Sequence, residues 1–181
     1  MRILVVGDWH SDLHEEECVQ SFLRLGHDVF RFSWCDYFSF SGSGVLNSIL
    51  RFLSRIQNRA LLGPILTKMN DDLCSCATKV LPNLIFVYRG THVFPSTLRK
   101  IKATMPNVIL IAYNNDNPFS PGQPYYYWRH FIRGLKEYDF CLAYRKSNLR
   151  DFYLAGAQQV DLLRSWFVPG RNYPVQVEKN H

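Results

Sequence analysis

Two short polar clusters hold the side chains best suited to chemistry: Arg89-Gly-Thr-His92 and Asn114-Asn-Asp-Asn-Pro118. Asp116 could orient or deprotonate a hydroxyl; equally, it could sit in an Asx turn held by Asn114, Asn115 and Asn117. His92 could serve as a base or hydrogen-bond donor, or bond to backbone at a helix start. Arg89, beside Gly90 and Thr91, could take a phosphate or join a structural ion pair. A third cluster, Asp8-Trp-His10 with His14, opens the chain. His10 and His14 lie near Asp8, Asp12 and Glu15, which invites a metal. Helix capping accounts for the carboxylates, so no metal is expected and His10 reads as a ligand-contacting residue.

These clusters follow apolar runs that read as buried parallel strands. Leu84-Ile-Phe-Val-Tyr88 precedes Arg89, Val108-Ile-Leu-Ile-Ala-Tyr113 precedes Asn114, and Ile3–Val6 precedes the third cluster. Ligands of open α/β sheets bind beyond the carboxyl ends of the strands, so the three loops point to one crevice.

The rest of the chain supplies the scaffold. A helix is expected from about Leu13 to Leu25, with Asp12 and Glu15 as a capping box and Val19, Phe22, Leu23 and Gly26 on the sheet-facing side. Strand two is Asp28–Phe32. Between Tyr37 and Asn70 there is no acidic residue, and Val45, Ile49, Phe52, Leu53 and Ile56 follow helical spacing beside Arg51, Arg55 and Arg59. That stretch, 45–62, either covers the sheet, burying Leu46, Leu50 and Leu61 with its arginines in water, or lies on an anionic membrane. Gly63-Pro64 breaks the helix, and a second runs to about Val80. Further helices are expected from Pro95 to near Met105, from Tyr126 to Lys136 and from Ser147 to Ala155. The last two strands are Asp139–Ala143 and Gln159–Leu163. Tyr125–Trp128 could stack on sugar rings or pack inside. The pattern predicts an α/β, Rossmann-like, doubly wound and mostly parallel six-stranded sheet with helices on both faces. It fills 1–168, and 169–181 reads as the start of an interdomain linker or a tail.

Composition narrows the function. The chain has 181 residues, 47% hydrophobic and 20% charged, with a net charge of +6. This suits a soluble α/β domain and is too scattered a charge for nucleic acid. Five cysteines in an odd set, with a strand opening the chain, indicate free thiols in a reducing cytosol. No apolar run approaches the roughly 18 residues of a membrane span. A dinucleotide site would need Gly-x-Gly-x-x-Gly after strand one. Gly7-Asp-Trp-His-Ser11 offers one glycine and puts Trp9 and His10 where a pyrophosphate needs bare backbone.

Several segments, in order, resemble one family. Asn58-Arg-Ala-Leu-Leu62, Pro82-Asn-Leu-Ile-Phe-Val87, Arg89-Gly-Thr-His-Val-Phe-Pro-Ser-Thr-Leu98 and Asn114-Asn-Asp-Asn-Pro-Phe119 look like the N-terminal half of a GT-B glycosyltransferase. The branch is the spore-maturation-protein-like, glycosyl transferase group 1 one. Tyr138-Asp-Phe140, Arg145-Lys-Ser-Asn148 and Tyr153-Leu-Ala-Gly-Ala157 continue the likeness over nearly the whole chain. The resemblance implies an acceptor-binding half that faces a C-terminal GT-B domain across a cleft. That second domain would hold a nucleotide-diphosphate sugar as donor, so this half binds no cofactor and is an incomplete enzyme alone. Asp116 and His92 become candidate catalytic residues, and Asp8, Trp9, His10, Arg89, Gly90, Thr91, Asn114, Asn115 and Asn117 candidate cleft residues. The acceptor would be a sugar, lipid or protein, in the cytoplasm or at the inner face of its membrane. The alternative is a stand-alone, non-catalytic Rossmann-like module that binds a sugar, nucleotide or protein partner.

Overall fold

The computed structural model describes residues 1–172 apart from 12, 41, 165, 167, 169 and 170. The six strands are β1 (Arg2–Gly7), β2 (Asp28–Ser33), β3 (Leu84–Tyr88), β4 (Ile109–Asn114), β5 (Phe140–Ala143) and β6 (Val160–Leu162). They pair in the order β2-β1-β3-β4-β5-β6, and every pairing is parallel. The sheet is thus wholly rather than mostly parallel, with helices on both faces, a Rossmann-like layout of the kind that forms half of a GT-B fold. Strands β1, β3 and β4 are buried along almost their whole length, which is why they are continuous apolar runs.

The helices are α1 (Glu15–Arg24), α2 (Val45–Ala60), α3 (Pro64–Val80), α4 (Pro95–Thr104), α5 (Tyr125–Gly134) and α6 (Lys146–Leu154). The crossovers put α1 on one face of the sheet and α3, α4, α5 and α6 on the other. Two cores follow. Leu66, Met69 and Leu73 of α3, Leu98 and Ile101 of α4, and Trp128 and Phe131 of α5 fill one side. Val19 of α1 packs with Ile3, Val5, Phe86, Tyr88 and Tyr113 on the other. Trp128 is therefore core rather than a sugar platform.

Several expectations need correction. Leu23 is exposed, because α1 turns only Val19 and, in part, Cys18 and Phe22 onto the sheet. Asp12, one half of the expected capping box, lies outside the described residues. The N-cap of α1 is His14, which makes no side-chain cap hydrogen bond, and Glu15 folds back to the loop before the helix. Leu46 and Leu50 are exposed, for the one fully buried residue of α2 is Ser54, whose hydroxyl donates to Phe38 O at 3.0 Å. Among the described residues, no helix is long and apolar enough to cross a membrane.

Candidate functional site

The strand order reverses between β1 and β3, so the crevice opens where the chain leaves those two strands. Two non-glycine residues with left-handed backbone flank it: Trp9 (φ 57°) after β1 and Arg89 (φ 64°) after β3. The other two, Leu61 and Leu81, are C-caps of α2 and α3, where this conformation is usual. The left-handed form costs an L-residue roughly 1–2 kcal/mol. At Arg89 it aims the guanidinium across the crevice. One arm reaches Asp8 Oδ2 at 3.4 Å, and the other reaches Asp116 Oδ2 at 3.1 Å and the Tyr127 hydroxyl at 3.3 Å. Arg89 thus joins the loops after β1, β3 and β4 in one bridge.

Gly7 explains the shape of the first loop. A Cβ there would collide with the Glu15 carboxyl. Glu15 Oε1 accepts the backbone N–H groups of Asp8 at 2.9 Å and Trp9 at 3.3 Å. Those are the amides a phosphate would need, and a carboxyl already holds them; the glycine makes room for Glu15, not for a pyrophosphate. Burial raises the Glu15 pKa, only partly opposed by the amide hydrogen bonds, and its Oε2 has no partner.

His92 is buried and its ring is fully engaged. Nε2 lies 2.7 Å from Asn58 Oδ1, and Nδ1 lies 2.9 Å from Thr91 Oγ1. Asn58 Oδ1 only accepts, so Nε2 carries the proton and Nδ1 accepts from Thr91. The ring stacks on Trp34 at 5.2 Å, with Phe38 edge-on at 5.6 Å. Burial lowers its pKa to about 3, so at neutral pH it is an uncharged hydrogen-bonding group. Buried Asn70 pins this loop to α3. Its Nδ2 donates to Leu66 O and His92 O, and its Oδ1 accepts from Phe94 N and Thr97 Oγ1, all within 2.8–2.9 Å.

The loop after β4 is an Asx-turned structure. Asn114 Oδ1 accepts Asp116 N at 3.0 Å, and Asn117 Oδ1 accepts Phe119 N at 3.1 Å and Asn148 Nδ2 at 2.7 Å. Arg145 donates to Asn115 O at 2.8 Å. The asparagines hold the turn and leave the Asp116 side chain, 41% exposed, at the crevice mouth.

A cavity of about 360 Å³ occupies one side of the switch point, lined by Asp8, His10, Trp34, Arg55, Asn58, Arg59, His92 and Tyr127. That falls in the roughly 300–1,000 Å³ range of small-molecule sites. A second cavity of about 260 Å³ lies on the α1 side, walled by His14, Tyr88, Tyr113, Asn115, Trp166 and Asn172. The histidines thus separate: His10 faces the first cavity, while His14 stacks on Tyr88 at 5.2 Å beside the second. Trp9 faces neither cavity; its Nε1 donates to Phe32 O at 3.0 Å and Arg31 lies over its ring. Gly90 (φ 60°) backs onto Phe131 and the Tyr138 hydroxyl, and Thr91 is buried. Among the described residues no group of three or more His, Cys, Asp or Glu is placed to hold a metal ion, and all five cysteines are free.

Six buried side-chain polar atoms among the described residues lack a partner: Glu15 Oε2, Ser33 Oγ, Tyr88 OH, Arg89 Nε, Asn114 Nδ2 and Asn115 Oδ1. All lie at the carboxyl edge of the sheet. Trp34, Arg55, Asn58 and Arg59 line the first cavity and Tyr88 the second, although no local motif in the sequence singles them out for a cavity.

No protein-family model matches this chain, and no curated protein matches it. Among solved structures, Arabidopsis thaliana UGT89C1 complexed with UDP-L-rhamnose is similar over 84% of this chain and 47% of its own, at 13% identity and a TM-score of 0.45. The chain spans about half the length of that protein.

Proposed function

We propose that this chain is the acceptor-binding half of a glycosyltransferase that moves a sugar from a nucleotide-sugar to an acceptor hydroxyl. The observation that carries the reading is the Asp8–Arg89–Asp116 bridge at the mouth of the crevice, with two carboxylates around one guanidinium. Carboxylates accept from sugar hydroxyls and a guanidinium donates to them, while the partly exposed ring of Tyr127 suits the apolar face of a sugar. In this reading Asp116 orients, and on release from Arg89 deprotonates, the attacking hydroxyl. His92, uncharged, donates through Nε2 to Asn58 and keeps that side chain turned to the cavity. Rate enhancement comes mainly from positioning. The phosphates of the donor belong to a C-terminal Rossmann-like partner, because Glu15 already occupies the loop amides of this half. The resemblance of Arg89–Leu98 and Asn114–Phe119 to segments of GT-B glycosyltransferases supports the same reading.

Chemical-shift mapping with a panel of mono- and disaccharides tests the reading. Shifts should concentrate on Asp8, Arg89, Asp116 and Tyr127, and Asp116→Ala should weaken them on the order of tenfold, the share of a hydrogen bond to a charged group. Saccharide shifts that survive Asp116→Ala and Arg89→Ala unchanged would remove the crevice from the account.

A further inference from the structure

Helix α2 sits the wrong way round for a helix that covers a sheet. At roughly 100° per residue, Val45, Leu46, Ile49, Phe52, Leu53 and Ile56 share one face. That face points to water: Val45 is 79% exposed, Leu46 70% and Phe52 63%. The polar side turns inward, with Ser54 bonded to Phe38 O and Asn58 to His92. Exposed Leu62 and Tyr126 extend the apolar surface around a cavity of about 450 Å³. So large a continuous apolar surface marks a contact site.

Charge selects the occupant. Arg51, Arg55 and Arg59 run along one flank, one turn apart, and no Asp or Glu occurs between residues 37 and 70. Arg55 and Arg59 make no hydrogen bond or ion pair among the described residues, and Arg51 bonds only to Asn47 O and Ser48. A second copy of the chain docking face to face would bring arginine rows together, because a two-fold contact pairs each patch with itself. An apolar face bordered by unpaired arginines is instead the pattern of a helix lying in a lipid interface. We propose that α2 docks this protein on the surface of an anionic phospholipid bilayer, its axis in the plane and its apolar face among the acyl chains near the headgroups. Arg55 and Arg59 also line the crevice, so docking holds that opening at the headgroup level. This goes beyond the glycosyltransferase reading: vesicle binding is measured without any sugar.

The test is co-sedimentation of the full chain with vesicles of phosphatidylcholine alone and of phosphatidylcholine with phosphatidylglycerol in equal parts. The protein should pellet with the anionic vesicles, remain in solution with the neutral ones, and be released by high salt. Phe52→Glu and, separately, Leu46→Ser alter exposed positions, and circular dichroism verifies their folding. Phe52→Glu should lower partitioning more than tenfold, and each Arg→Gln change at 51, 55 or 59 about fivefold. Absence of pelleting with anionic vesicles at low salt overturns the proposal. Binding that is equal on neutral vesicles, or indifferent to Phe52→Glu, overturns it too. A dimer in light scattering that Phe52→Glu dissolves, without vesicle binding, would assign the face to a second copy.

Discussion

Acidification should destabilise this protein through His92, well before its carboxylates are protonated. The unfolded imidazole titrates near 6.5, whereas burial against Trp34 and Phe38 lowers the folded pKa to about 3. Between those values the unfolded chain binds the proton and the folded chain does not, so stability is fully present above pH 6.5 and is lost as pH falls towards 3. At about 1.4 kcal/mol per pH unit, the whole window weighs on the order of 5 kcal/mol, and the step from 6.5 to about pH 5 roughly 2 kcal/mol. Hydrogen bonding adds little, because the Thr91 hydroxyl can turn from donor to acceptor; desolvation dominates. Burial also lowers the pKa of His14 and His130, which add slope of the same sign. The His92 share is therefore read as the difference between wild type and His92→Gln, which keeps a donor towards Asn58 and has no charge to gain. Urea denaturation of both proteins across the window should show wild type losing its advantage steadily as pH falls. A difference that stays flat with pH, or an NMR titration that places the His92 ring near 6.5, would refute the reasoning.

Glu15→Gln should stabilise the protein at neutral pH. The raised pKa means that wild-type stability is present in acid and is lost as pH rises through the folded value. Removing the cost of ionising a buried carboxyl with one unpartnered oxygen is worth about 1 kcal/mol, or roughly 2–4 °C in Tm, and calorimetry should show the gain vanish in acid. Asn70→Ala should act the other way. It strips partners from His92 O, Phe94 N and the Thr97 hydroxyl together, costing on the order of 2–4 kcal/mol and lowering Tm by about 5–15 °C in a thermal melt.

Much of this could be read from residues alone, and the gaps have physical causes. Strands β1, β3 and β4 announce themselves because a parallel strand covered on both faces is apolar throughout. The loops that follow them are legible for the same reason, since polar residues appear abruptly where the sheet ends. Spacing does not reveal direction. Glu15 stands where a capping acid would, and only the Gly7 gap shows that it turns back to Asp8 and Trp9. The apolar periodicity of α2 shows that a face exists but not which way it turns, and Ser54 and Asn58 decide that. Trp34, Asn58 and Asn70 reach His92 from elements far away in the chain, so no local motif links them.

The central claim is a division of labour in which this half recognises an acceptor and not the donor nucleotide. Saturation-transfer NMR of the chain with nucleotide-sugars and with free saccharides measures it directly. Saccharide ring protons should saturate and those of the nucleotide base should not, because Glu15 already fills the loop after β1 whose amides could cradle a pyrophosphate. Tight, saturable binding of a nucleotide-sugar to this chain alone, with transfer to its base and ribose protons, would contradict it.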